Sequence, residues 1–300
     1  MLKNLIVRFF SFALILLFLW TLFFSTESFA VSPAAGLKPV IWLINASALL
    51  RLKKVPGASS LVKLAFDHSH TIVIIGKHSP LFLKRWKCQW ALSFPSYHSF
   101  SSRMREEGIS PRVKFILLDQ ESWRFTPKKE KLNPSIYVKK AVMLAHQFGL
   151  KLAAAPAVDL VNSELRKIRR FHLSRYSAFL NLKIPKKVGS YADLYEIQAQ
   201  GSEMDPELYR SFVERASQQA RQSNQNLIVL AGLSTNPNGQ KVTAEMLYQD
   251  FKAVKSDVNG YWLNVPAGGP WCPRCGKPDL KVGIDFIKQV IEKIRPTHLK

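Results

Sequence analysis

From residue 114 onward, short apolar strand candidates recur about every 33 to 42 residues, with helical stretches filling the gaps. That alternation constrains the fold more than any other feature. Strands joined by helical crossovers pair in parallel, and a parallel sheet must be covered on its faces. The candidates are 114–119, 151–155, 193–199, 226–231 and 260–264. Three more precede them at 40–44, 71–75 and 89–94, making eight in all. Eight such units predict an α/β fold, a (β/α)8 TIM-like barrel.

The helix punctuation agrees. Asn133-Pro134 opens a helix that stops at Gly149, and Asp205-Pro206 opens another running to about Gln222. Thr243 starts a third, with Leu247, Phe251 and Val254 on one face, and 283–294 reads as the closing helix. The first half is less regular. Only about a dozen residues, including Pro80, separate the second and third strands. A full crossover helix barely fits there, so the barrel is expected to be irregular or short of a helix.

Residues 1–30 stand apart. Lys3 and Arg8 precede an apolar run from Phe9 to Phe24, and Ser28-Phe29-Ala30 has the small residues of a cleavage site. This is the build of a signal peptide, with an uncleaved membrane anchor as the competing reading. Either reading places the body outside the cytoplasm, secreted or anchored on the outer face of the membrane. Residues 31–38 read as a linker and 39–300 as the barrel domain.

The chain carries 43 Lys and Arg against 21 Asp and Glu, a net charge of +22. The first thirty residues hold two cations and one anion, so removing them leaves +21. Such a field attracts polyanions. For an exported protein the expected partner is an extracellular glycan or an anionic cell-wall polymer. A solvated basic surface is the plainer alternative. Membrane contact is expected only through the N-terminal segment. No helix-turn-helix, zinc-finger or RNA-binding signature accompanies the charge, which argues against nucleic acid.

Cys272-Pro-Arg-Cys275 reads as a local disulfide in an exported chain, and Cys88 as a buried free thiol. His68-Ser69-His70 has metal-ligand spacing but precedes the second strand, at the wrong end of a barrel for catalysis. No metal site is expected. With no Gly-x-Ser-x-Gly elbow, phosphate loop, nucleotide or flavin fingerprint, no cofactor is expected either.

Barrel active sites lie at the C-terminal ends of the strands, and polar residues gather there. The fourth strand runs into Asp119-Gln-Glu121-Ser-Trp123. Side chains alternate along a strand, so Asp119 and Glu121 share a face, with Cα atoms about 6.6 Å apart. Two carboxyls that close raise one pKa and make a general acid. On the sixth strand Tyr195, Ile197 and Ala199 would face the helices, and Glu196, Gln198 and Gln200 the interior. An unpartnered buried amide costs about 1–3 kcal/mol, so an inward polar row implies a wet pocket or a satisfied network. Glu203 follows in the loop. On the eighth strand Trp262 and Asn264 would point inward, the indole as a sugar platform or as plain core. The fifth strand leads to Asp159 and the seventh to Ser234-Thr235-Asn236.

Several of these segments are similar to known proteins. Asp119–Pro127, Ile197–Glu203, Ala231–Pro237 and Tyr261–Pro266 followed by Cys-Pro-Arg-Cys resemble a group of uncharacterised exported bacterial TIM-barrel proteins, a likeness that implies no activity. The end of the fourth strand also resembles the Asp-x-x-Asp-x-Asp-x-Glu motif of chitinase-type glycoside hydrolases. Glu121 matches the acid and Asp119 its neighbour, while Leu117 and Lys114 stand where the earlier aspartates belong. Trp262 matches that family's tryptophan at the end of the eighth strand. The resemblance implies an enzyme acting on a glycan, with Glu121 as acid and Asp119 assisting; residues of one strand cannot easily flank a bond, so the second carboxylate is expected from a neighbouring strand, Glu196 or Asp159. Trp123, Gln198, Gln200, Glu203, Asn236, Trp262 and Asn264 are the candidate binding residues. A non-catalytic barrel that binds a glycan is the alternative.

Overall fold

A computed structural model describes residues 39–76, 80–162, 174–269 and 275–294. The chain divides into units 1–38 and 39–300, and the described residues all belong to the second. The signal or anchor segment and the linker expected at 1–38 lie outside the described residues.

Eight strands close into an all-parallel barrel in chain order. They are β1 Ile41–Asn45, β2 Thr71–Ile75, β3 Gln89–Phe94, β4 Val113–Leu118, β5 Lys151–Ala154, β6 Leu194–Ile197, β7 Ile228–Ser234 and β8 Gly260–Asn264. This is the (β/α)8 TIM barrel that the alternation predicts. β1 pairs with β8 to close the ring, Ile41 opposite Gly260 and Ile44 opposite Leu263.

Period-2 alternation sorts side chains between two cores. Trp42, Ile44, Val73, Ile116, Tyr195, Ile197, Tyr261 and Leu263 pack outward among the helices. Leu43, Ile72, Phe115, Leu117, Leu194, Leu230 and Trp262 fill the barrel. Each large aliphatic side chain so buried contributes about 1.5–3 kcal/mol. The strand registers advance one residue per step around the ring, which stacks the inward side chains in layers of four. One layer is Ile74, Leu117, Glu196 and Trp262. Above it lie Asn45, Ser93, Ala155 and Gly232, then Gly76, Asp119, Gln198 and Asn264.

The helices form where the caps predict. The helix Pro134–Gln147 has proline at its first turn, and the helices Pro206–Arg221 and Ala244–Ala253 are capped by the Asp205 and Thr243 side chains. The link between β2 and β3 holds a 3-10 helix, Leu81–Arg85, among its described residues, in keeping with its length. Three boundaries differ from expectation. β4 ends at Leu118 and β6 at Ile197, so neither strand carries its polar residues as far as the alternation assumed. β7 continues to Ser234, because Ser234 still pairs with Asn264. Cys88 is buried and free, one residue before β3. Cys275 is buried and disulfide-bonded, and its expected partner Cys272 lies outside the described residues. No described helix is long and apolar enough to cross a membrane.

Candidate active site

The C-terminal mouth of the barrel holds a cluster of carboxyls. Asp119 and Glu121 follow β4, Asp159 lies in a 3-10 helix, Val158–Val161, after β5, and Glu196 points inward from β6. Backbone pairing extends one residue past β4, where the Asp119 N–H donates to the Phe94 carbonyl. That fixes the Asp119 side chain inward, two layers above Glu196's.

Several contacts hold this rim in place. Gln198 donates one amide bond to Asp119 Oδ1 at 2.8 Å and another to the Ala155 carbonyl at 2.9 Å, joining β4, β5 and β6. The Ser122 N–H donates to Asp159 Oδ1 at 2.9 Å and ties the loop after β4 to the loop after β5. Trp123 Nε1 donates to Thr126 Oγ1 at 2.9 Å, and that hydroxyl donates to the Pro95 carbonyl at 2.7 Å. Buried Glu130 accepts from the Tyr97 and His98 N–H groups at 2.7 and 3.0 Å, which fixes the short helix Lys128–Leu132 against the segment after β3.

The electrostatics follow from burial. Asp119 is pushed up to about 7, mainly because its charged form loses water; Asp159 adds to this and the Gln198 amide opposes it. Glu121 rises further, to about 8, through burial and then the neighbouring Asp119 and Asp159. Glu196 is driven well above the carboxylate range by full burial, with Asp119 and Glu121 adding like charge. Among the described residues neither Glu196 oxygen has a hydrogen-bond partner, nor has buried Trp262 Nε1 in the same layer. In the layer above them, inward-facing Ser93 is exposed. Burial also raises Asp159, but among the described residues it alone of the four has cations acting on it, Arg175 and Lys131, as well as the Ser122 N–H.

The other sequence candidates fall elsewhere. Trp262 is 7% exposed and lies within the barrel core, so its ring is core and not an open platform. Asn264 is half-buried at the rim, level with Asp119 and Gln198. Gln200 leaves the strand row for a 3-10 turn, and its amide lies over Gly232, where a Cβ would come within 2.4 Å of it. Only glycine there admits that amide. Asn236 is buried and donates to the Cys275 carbonyl at 2.6 Å, fastening the loop after β7 to the one after β8. Glu203 is fully buried, accepts from the Ser234 N–H, and has buried Asp250 of the helix Ala244–Ala253 as its electrostatic neighbour. It therefore stands apart from the Asp119–Glu121 group. Asp250 is pushed up to about 7 by burial, with Oδ2 unpartnered.

Sequence reasoning missed Asp250, although it falls on the apolar stripe of Leu247, Phe251 and Val254. An acid on such a stripe was the signal. Arg175 and Lys131 carried no comparable signal, since loop packing brings them to Asp159. His68 Nε2 donates to the Ala65 carbonyl at 2.8 Å, before β2 and far from the mouth. Among the described residues no group of three or more His, Cys, Asp or Glu is arranged to hold a metal.

The protein is thus a (β/α)8 barrel with an acid-lined C-terminal mouth. Its fold is similar to a chitinase from Chromobacterium violaceum, at 13% identity over 84% of this chain and 99% of that one, with a TM-score of 0.44. A Rhizomucor miehei β-1,3-glucanosyltransferase is 9% identical over 75% of this chain and 86% of that one, TM-score 0.41. A triosephosphate isomerase from Bartonella henselae is 12% identical over 85% and 99%, TM-score 0.41. Such likeness concerns the fold alone, which hosts many chemistries. No protein-family model matches the chain, and no curated protein matches it.

Proposed function

We propose that the protein is a glycoside hydrolase acting on an extracellular glycan, with residues 1–30 as its export signal or anchor. One observation carries this reading: Glu121, at about 8, holds its proton at neutral pH beside a second carboxyl in a different electrostatic setting. Burial raises both acids, but on Asp159 the Ser122 N–H, Arg175 and Lys131 oppose the rise, and acids in such unlike surroundings divide the work into proton donor and charged partner. Glu121 protonates the leaving oxygen. Asp159, with Arg175 and Lys131 favouring its anion and the Ser122 N–H holding it, is the second carboxylate, as nucleophile or base. It comes from a different strand loop, as a group that must flank the bond has to. Asp119, fixed by Gln198, orients Glu121 and keeps it protonated. Glu196 lies too deep to reach a glycosidic bond, and its place is beneath the reacting atoms. Half-buried Asn264 and the half-buried Trp123 loop are the binding residues nearest the acids.

The test is reducing-end release by the full chain over neutral, amino and anionic glycans, with Glu121→Gln as control. Release by the parent and at least ~10³-fold less by the variant is expected, the scale of losing a general acid. Equal rates would remove Glu121 from the chemistry. Retention of a glycan without any release would make the protein a binding barrel.

A further inference from the structure

A groove of about 230 Å³ lies between the start of the helix Pro134–Gln147 and the helix Ile184–Gly189. Its apolar floor includes Leu160 and Leu182, and its polar lining includes Lys131, Asn133, Ser135 and Lys187. Leu160 is the residue after Asp159, in the same 3-10 helix. One lining residue of the groove is thus next in sequence to the proposed second carboxylate. Lys131 belongs to both, lining the groove and acting on Asp159.

The charge in the groove has one sign. No carboxylate is among its lining residues, and among the described residues neither Lys131 nor Lys187 is in an ion pair. Lys131 is not a free-swinging surface lysine. It is half-buried, and adjacent Glu130 is bonded to the Tyr97 and His98 backbone. The helix start between the two lysines has no acidic residue in its first turn and no side-chain cap, so its dipole adds to their field. An apolar floor flanked by two cations matches a sugar ring bearing an anionic substituent: the C–H face lies on Leu160 and Leu182, and the anion sits between the amines.

We propose that this groove is a subsite for an anionic sugar unit, so that the substrate is a glycan with acidic groups along its chain. Uronate carboxylates and phosphodiesters share that chemistry. The inference takes from the hydrolase reading only that the occupant is a glycan continuing from the acids.

Binding is measured with the full-length Glu121→Gln protein, so no turnover is needed and the result stands or falls apart from hydrolysis. The probes are hexagalacturonate, its neutral methyl ester, and a glycerol-phosphate hexamer. Lys131→Gln with Lys187→Gln is compared with Lys252→Gln plus Lys255→Gln, an equal charge change at two exposed lysines at and just past the end of the helix Ala244–Ala253. The groove pair is expected to weaken binding of an anionic probe about fivefold or more, and the control pair less than twofold. The methyl ester should bind more weakly than its acid and be insensitive to the groove pair. Response to hexagalacturonate alone identifies a uronate, and response to the glycerol-phosphate hexamer alone identifies a phosphodiester. Equal weakening by both pairs would replace the subsite with a diffuse basic field, and no binding of either anion would overturn it outright.

Discussion

Single carboxyls at the mouth set how activity depends on pH. Glu121 must be protonated to donate, so activity should fall as pH rises past about 8. A rate still climbing above that pH would assign the donor elsewhere. Gln198 bonds the charged form of Asp119, so Gln198→Leu should push Asp119 higher still and disturb the group Glu121 leans on. A shifted pH profile with kcat down about tenfold and KM little changed is the expected result. A change in KM alone would make Gln198 a binding residue instead. Alternation read from the sequence placed Glu196, Gln198 and Trp262 inward correctly. It could not say that the Gln198 amide is committed to Asp119, or that the Trp262 ring is capped as core, since both depend on residues 79 or more positions away or on other strands.

At the scale of elements, the barrel depends on close backbone approach at its seam. Gly260 lies against β1, where a Cβ would come within 1.9 Å of the Ile41 carbonyl oxygen. Backbone cannot yield as a side-chain end can, so Gly260→Ala should cost about 2–4 kcal/mol and lower Tm by several degrees. Gly232→Ala meets only the end of the Gln200 side chain, and should perturb ligand binding more than stability. Denaturation of both variants separates the cases, and equal Tm losses would refute the distinction. Strands and helices were legible in the sequence because their periods of 2 and 3.6 are local. Their ends were less so: β4 stops before Asp119 and β6 before Gln198, because the loops that bond Asp119, Ser122 and Gln198 have tertiary partners.

For the whole molecule, the buried acids make stability depend on pH. Burial pushes Asp119 and Asp250 up to about 7 and Glu121 up to about 8 when folded, and Glu196 and Glu203 are raised well above the ordinary carboxylate value. Unfolded, such groups titrate near 4, so the folded state binds protons more tightly. This contribution is full below about pH 4 and is lost as pH rises through the folded values, at up to about 1.4 kcal/mol per pH unit for each group titrating. Unfolding free energy should therefore fall between pH 5 and 8. Asp250→Leu, which removes an acid with an unpartnered oxygen, should flatten that fall; a denaturation series that rises over this range would contradict the account.

The sequence by itself determined the eight-stranded alternating architecture, the two faces of each strand, the helix starts at Asn133-Pro134, Asp205-Pro206 and Thr243, and the acids at the end of β4. Each of these follows from interactions between residues a few positions apart. Tertiary structure alone decided that Asp119, Glu121, Asp159 and Glu196 converge, that Arg175 and Lys131 act on only one of them, that Glu203 pairs its field with Asp250 instead, and that Leu160, next in sequence to Asp159, lines a cationic groove. Those outcomes depend on strand tilt, ring closure and loop packing, which bring together residues tens of positions apart, and burial then gives the same carboxyl group a different acidity at each place.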